Sequence, residues 1–167
     1  MNNVNLNHDN NGKKPKFLVD FMLGRLAKWL RILGYDTLYV DKAFSENILL
    51  KSLKDNRILV TRNNRLSRKR ALKLVLVKSD KIMEQLAQIV RDLKLNVSEK
   101  NFFSRCTFCN TELKPVEHKE SVKPSVPEYV YNTQDKFSVC PGCRKIYWAG
   151  THFDLLSKAL KKAGIIK

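Results

Sequence analysis

Acidic side chains are scarce in this sequence. Sixteen Asp and Glu stand against 32 Lys and Arg in 167 residues, which leaves a formal net charge of +16. A field of that size favours polyanionic partners, nucleic acid foremost. Long hydrophobic runs are missing as well: no stretch approaches the roughly 18 apolar residues that a membrane span needs, so no membrane partner is expected. The chain does not open on a charged-then-apolar secretory pattern, and a reducing, cytoplasmic compartment is the expectation. Histidine is limited to three positions, and each has an ordinary reading. His8 lies in a polar tail, His118 in a charged loop, and His152 in the first turn of a terminal helix. No small-molecule cofactor is expected, and nothing in the sequence sets the oligomeric state.

The chain is long enough for one real core and a small second module that needs a staple. Residues 1–15, with Asn2, Asn3, Asn5, Asn7, Asn10 and Asn11 running into Lys13 and Lys14, are too polar to pack and read as a disordered tail. From residue 16 to 98, strand-like and helix-like segments alternate. "KFLVD" (16–20), "DTLYV" (36–40), "RILVT" (57–61) and "LKLVLV" (72–77) are apolar runs without alternation. Each precedes a helical pattern: Leu23, Leu26, Ala27, Leu30 and Leu33 closed by Gly34; "ENILLKSLKD" with Ser45 as N-cap; a short basic helix over 64–71; and Ile82, Leu86, Ile89, Val90 and Leu93 with Ser79 as N-cap. Four such units predict a small α/β domain, a doubly wound parallel sheet covered on both faces.

In such sheets ligands bind beyond the carboxyl ends of the strands. Asp20, Asp41, Arg62 with Asn63, and Ser79 with Asp80 follow the four ends, so carboxylates distant in sequence are expected on one rim. The positive charge is focused there too. Residues 51–78 carry ten basic side chains, Arg62, Arg65, Arg68 and Arg70 among them, against the single acid Asp55. On the first helix Arg25, Lys28 and Arg31 recur at three-residue spacing beside Trp29. An ordinary solvated helix face explains that stripe equally well by itself; with the arginines around Asn63 it reads as an anionic groove for RNA, with Trp29 or Tyr35 available to stack bases.

Composition changes near residue 100. "CTFC" (Cys106, Cys109) and "CPGC" (Cys140, Cys143) are two pairs separated by 30 residues. Four thiolates complete the tetrahedron of a structural zinc and leave no position open for water. Disulfides are disfavoured in a reducing compartment, and an iron-sulfur cluster is the minor alternative. Residues 99–150 are therefore expected to form a zinc ribbon, with "PSVPEYVYN" and "QDKFSVC" folding as a hairpin inside the spacer. Residues 151–167 close the chain as a helix, capped by Thr151 with Asp154, whose apolar face should dock on one of the modules.

Taken together, "FLVDFMLGRLAKWLRILGYDTLYV", "RILVTRNNRL", "SDKIMEQLAQIV", "RCTFCNTEL" and "CPGCRKIYWAGTH" resemble the PIN-like ribonuclease domain with an appended zinc ribbon named after the C-terminal part of the Mut-seven exonuclease. The resemblance covers residues 16 to about 153. It implies metal-dependent RNA cleavage, with clustered acids at the strand ends holding Mg²⁺ or Mn²⁺. Asp20 matches the first acid of that pattern, and Asp41 and Asp80 fit by position. Two positions depart from it: Asn63 stands where relatives usually have Asp, and Ser45, followed by Glu46, stands near another usual acid. An Asn carbonyl can ligate a metal but brings no charge. A metal-dependent endoribonuclease and a non-catalytic RNA-binding module derived from one are thus both compatible with the sequence.

Overall fold

The computed structural model describes residues 14–41, 47–67, 73–148, 150 and 152–166. The first unit is built on four short strands, β1 (Phe17–Val19), β2 (Thr37–Tyr39), β3 (Ile58–Thr61) and β4 (Leu74–Leu76), all parallel in the order β2-β1-β3-β4. Strands β1 and β3 are buried throughout, as the unbroken apolar runs require of central strands.

Side chains alternate between the two faces of the sheet. Phe17, Val19, Ile58, Val60 and Val75 face one way. There they pack against Leu26, Ala27 and Leu30 of α1 (Gly24–Ile32) and, beyond the short helix α2 (Ile48–Lys54) and the single turn α3 (Asn64–Ser67), against Leu86 and Ile89 of α4 (Ile82–Asp92). Leu18 and Leu59 face the other way, with Ile48 of α2 and, at the edge of that cluster, Leu66 and Leu74. The larger core is therefore on the α1 and α4 side.

Several local signals work differently from the sequence reading. Asn47 stands at the head of α2 without a side-chain cap, and Ser45 lies outside the described residues. Ser79 sits two residues before the N-cap position Lys81 of α4; its hydroxyl accepts the Lys81 N–H (3.0 Å) and bonds Glu84 (2.8 Å), tying off the turn ahead of the helix. Gly34 ends α1 as expected, at φ +86°, where a Cβ would stand 2.5 Å from the Asn101 carbonyl oxygen and 2.7 Å from Ser104 Oγ. Gly34→Ala should therefore lose about 1–3 kcal/mol of stability or more, visible as a lower urea midpoint. An unchanged midpoint would mean that this close approach does not exist.

The second unit is a three-stranded antiparallel sheet, β5 (Lys114–Pro115), β6 (Phe137–Val139) and β7 (Ile146–Trp148), in that order. The expected hairpin in the spacer is only half right. "PSVPEYVYN" is helical instead, its start closing a 3-10 helix (Lys119–Ser125) and its end entering α5 (Glu128–Thr133), headed by Pro127 at φ −58°, which has no N–H to lose; β6 pairs with β5 and β7. The terminal helix α6 (His152–Lys162) docks on the first unit: its Leu156 and Leu160, with Ile165 just past its end, join the main core, and the Phe153 ring lies 5.9 Å from that of Phe102 and 6.3 Å from that of Phe103. The Thr151 cap lies outside the described residues. No helix among the described residues is long and apolar enough to cross a membrane.

Candidate functional site

From β1 the chain crosses to β2 over the α1 face; from β3 it moves the other way, to β4. The carboxyl ends of β1 and β3 therefore flank the switch point, where an open α/β sheet leaves a crevice. Asp20 and Thr61 occupy it. The backbone N–H of Asp20 reaches the Val60 carbonyl (3.0 Å), so the aspartate is registered against β3. Its side chain is only 3% exposed, and Thr61 Oγ1 donates to Asp20 Oδ2 at 2.6 Å. The Asn63 N–H in turn donates to Thr61 Oγ1 (3.0 Å), which aims the hydroxyl proton at the carboxylate. Among the described residues no Lys, Arg or His pairs with Asp20. A buried carboxylate without a cation is costly, and a bound cation would offset that cost.

The other expected acids stand farther out. Asp41 is exposed beyond β2, next to β1, and Asp80 is exposed in the turn before α4, with β3 intervening between its strand and that of Asp20. Asn63 is exposed and its Oδ1 accepts the Arg65 N–H (3.0 Å), so the carboxamide caps α3. Glu46 lies outside the described residues. Among those residues no three carboxylates gather closely enough to hold an ion by themselves.

Of the basic residues, Arg25, Lys28 and Arg65 are exposed and Arg62 is half-buried, while Arg68 and Arg70 lie outside the described residues. Arg31 corrects the expected stripe. It is 8% exposed and turned inward, its Nε donating to the Thr37 carbonyl (2.9 Å) and one terminal nitrogen to the carbonyls of Thr107 (3.1 Å) and Phe108 (2.8 Å). Burial lowers its pKa, although the cysteines and Asp36 nearby oppose this. Trp29 is half-buried against the main core, and Tyr35 is buried with its hydroxyl donating to the Asn96 carbonyl (3.0 Å), which leaves it no face for a base.

The four cysteines meet. The Sγ atoms of Cys106, Cys109, Cys140 and Cys143 lie within 4.8 Å of one another, with Cys106 and Cys143 3.5 Å apart and Cys109 and Cys140 3.3 Å apart. The two halves are built alike. In each, the second cysteine's N–H points at the first one's sulfur (3.4 Å), and the next residue, Asn110 or Arg144, takes a positive φ (71° and 60°) and returns its N–H to the first cysteine's carbonyl at 2.9 Å. N–H groups aimed at sulfur favour thiolate; the Thr111 hydroxyl, 3.3 Å from Cys109, brings that thiol down to about 6. Cys143 goes the other way: the Lys145 backbone hydrogen bond lowers its pKa, but burial and the neighbouring thiols override this and push it up to about 12. Four sulfurs so placed fit a structural metal such as zinc, which would hold all four as thiolates.

This centre is fastened to the first sheet by groups that sequence reasoning missed. Besides Arg31, Asn110 donates to Asp36 Oδ1 (2.7 Å) and accepts the Thr37 N–H (2.9 Å), while Arg57 grips the same carboxylate with two nitrogens (2.8 and 3.1 Å). Burial pushes the Asp36 carboxyl up, but the hydrogen bonds from Arg57 and Asn110 outweigh it and hold it below its ordinary value. The folded state thus favours charged Asp36. Its contribution is complete above the unfolded pKa of about 3.9 and is lost as pH falls through the lower folded value. Asp36→Asn should accordingly flatten the acid limb of a stability-versus-pH curve below about pH 4; an acid limb identical to wild type would contradict this.

A parallel α/β unit clamped to a tetrathiolate ribbon, with a buried aspartate at the switch point, is the class of protein that the geometry defines. The chain belongs to the Mut7-C RNAse domain family, whose model matches residues 15–160; membership gives it a nuclease-like, RNA-related role. No curated protein and no solved structure matches significantly.

Proposed function

We propose that the chain is a metal-dependent ribonuclease that hydrolyses RNA phosphodiesters at the switch point, with Asp20 as principal metal ligand. The observation that carries this reading is the Asp20 carboxylate: buried, oriented by Thr61, and without a cationic partner among the described residues. Thr61 engages one carboxylate oxygen and so presents the other. Asp41, Asp80 and Glu46 are the further carboxylates in this reading, and Asn63 has only an uncharged carbonyl oxygen to offer, one that already accepts the Arg65 N–H. When bound, Mg²⁺ or Mn²⁺ supplies Lewis-acid polarisation of the scissile phosphate and a water of lowered pKa. Arg62 and Arg65 hold the RNA backbone beside the scissile bond. The test is cleavage of a labelled RNA with Mn²⁺, with Mg²⁺ and with EDTA. Cleavage only with a divalent ion supports the reading, and cleavage of equal rate in EDTA defeats it.

One observation favours a second reading, a non-catalytic RNA-binding module: the missing charge at Asn63, whose side chain is occupied in capping α3. In that case RNA affinity falls steeply with salt, no divalent ion elicits cleavage, and Asp20→Asn binds as wild type does.

A further inference from the structure

Tyr39 is an aromatic residue that the folding of the chain does not use up. It belongs to neither core cluster, and 41% of it is exposed. Yet its position is fixed from three sides. In the sheet it pairs with Val19, the residue before Asp20. Its hydroxyl donates to the carbonyl of Phe21, the residue after Asp20, at 3.0 Å. Its ring lies against Gly24, with Cε2, Cζ and the hydroxyl oxygen 3.4–3.5 Å from where a Cβ would project. A rigid, half-exposed ring is thereby held one residue from the buried aspartate on either side.

The charge around it complements a phosphate chain. Gly24 touches the Tyr39 ring and Arg31 reaches the Thr37 carbonyl, so α1 runs alongside β2. Lys28, four residues after Gly24 and three before Arg31, falls between them on the same helical stripe, and it is exposed, as is Arg25 next to Gly24. Met22, 51% exposed, follows in the turn beyond Asp20. An aromatic platform beside exposed cations is how proteins hold unpaired nucleotides, because a base buried in a duplex has no free face to stack.

We propose that Tyr39 stacks an unpaired base of RNA while Arg25 and Lys28 take the adjoining phosphates, so that the substrate class is single-stranded RNA. The proposal rests on the ribonuclease reading above only for the place of the scissile phosphate; binding can be tested without cleavage. In EDTA, the affinity of the full chain for a short unstructured RNA is compared with that of Tyr39→Leu and Tyr39→Phe. The loss expected for Tyr39→Leu is about tenfold, the weight of one stacked base, with Tyr39→Phe within about threefold of wild type, since the ring remains. A single abasic site walked along the RNA should reproduce that loss at one position with wild-type protein, and should cost Tyr39→Leu little more. Blunt duplex RNA should bind both proteins alike. The proposal is overturned if Tyr39→Leu binds the single strand as wild type does, if the loss is equal for duplex, if Tyr39→Phe loses as much as Tyr39→Leu, or if no abasic position matters. Should cleavage never appear while these binding results hold, the ribonuclease reading fails and the stacking site stands. Should cleavage appear with no dependence on Tyr39 or base pairing, the reverse follows.

Discussion

Asp20→Asn is expected to reduce divalent-ion-dependent RNA cleavage by on the order of 100-fold or more, while the protein folds and binds RNA as before. The substitution is close to isosteric, and an Asn oxygen can still accept the Thr61 hydroxyl that now meets Asp20 Oδ2 at 2.6 Å. What disappears is the negative charge. Metal-assisted hydrolysis draws several kcal/mol from the bound ion, and each 1.4 kcal/mol is about tenfold in rate, so a site that loses its buried anionic ligand loses most of its advantage. RNA affinity in EDTA should change little, because the exposed cations Arg25, Lys28 and Arg65 are untouched. Parallel rate and affinity measurements on both proteins check this. Equal cleavage by the two would assign the activity to a contaminant or to another site.

The second large effect is expected from a strong chelator, because the four cysteines are placed to hold a structural metal such as zinc. Four thiolates within 4.8 Å of one another repel unless protonated or bound to a cation, and structural zinc in small modules supplies folding free energy outright. A metal held here would staple the ribbon, since β5 to β7 are only two or three residues long. The damage should not stop there. Arg31, Thr37 and Asp36 take partners from the loop that carries the first cysteine pair, so its collapse would leave one terminal nitrogen of the buried Arg31 and the buried Thr37 N–H unpaired in the first unit, at about 1–3 kcal/mol for each group. A strong chelator should therefore lower the melting temperature of the whole chain by about 10–20 °C, the equivalent of roughly 5 kcal/mol at this size. The four thiols should become reactive in the same transition. Melting unaffected by chelation, with four thiols freely reactive from the start, would show that no metal staples the ribbon.

Much of the fold was legible because apolar content needs no partner to be read. Unbroken runs such as "FLV" and "ILV" required central parallel strands, and the spacing of Leu26, Leu30, Leu86 and Ile89 required the two helices that now share the main core. The cysteine pairs announced a common site by spacing alone. Arg31 was not legible: besides the Thr37 carbonyl, its partners are the carbonyls of Thr107 and Phe108, 76 and 77 residues away inside the first cysteine pair. From the sequence, Arg25, Lys28 and Arg31 are one stripe; in the fold, one of the three is a bolt. The sequence reading singled out Tyr35 and passed over Tyr39, whereas the fold buries Tyr35 and leaves 41% of Tyr39 exposed. Asp20 and Thr61, 41 residues apart, could be placed on one rim by topology, whereas the hydrogen bond between them required coordinates.

The central claim is that Asp20 anchors a divalent ion at the crevice between β1 and β3. Anomalous diffraction from crystals grown with Mn²⁺ and a non-cleavable RNA tests it most directly. A manganese peak is expected within about 2.0–2.6 Å of an Asp20 carboxylate oxygen, the range of oxygen ligation by hard cations, with an RNA phosphate completing the coordination. RNA lying in the groove with no manganese at Asp20 would contradict it.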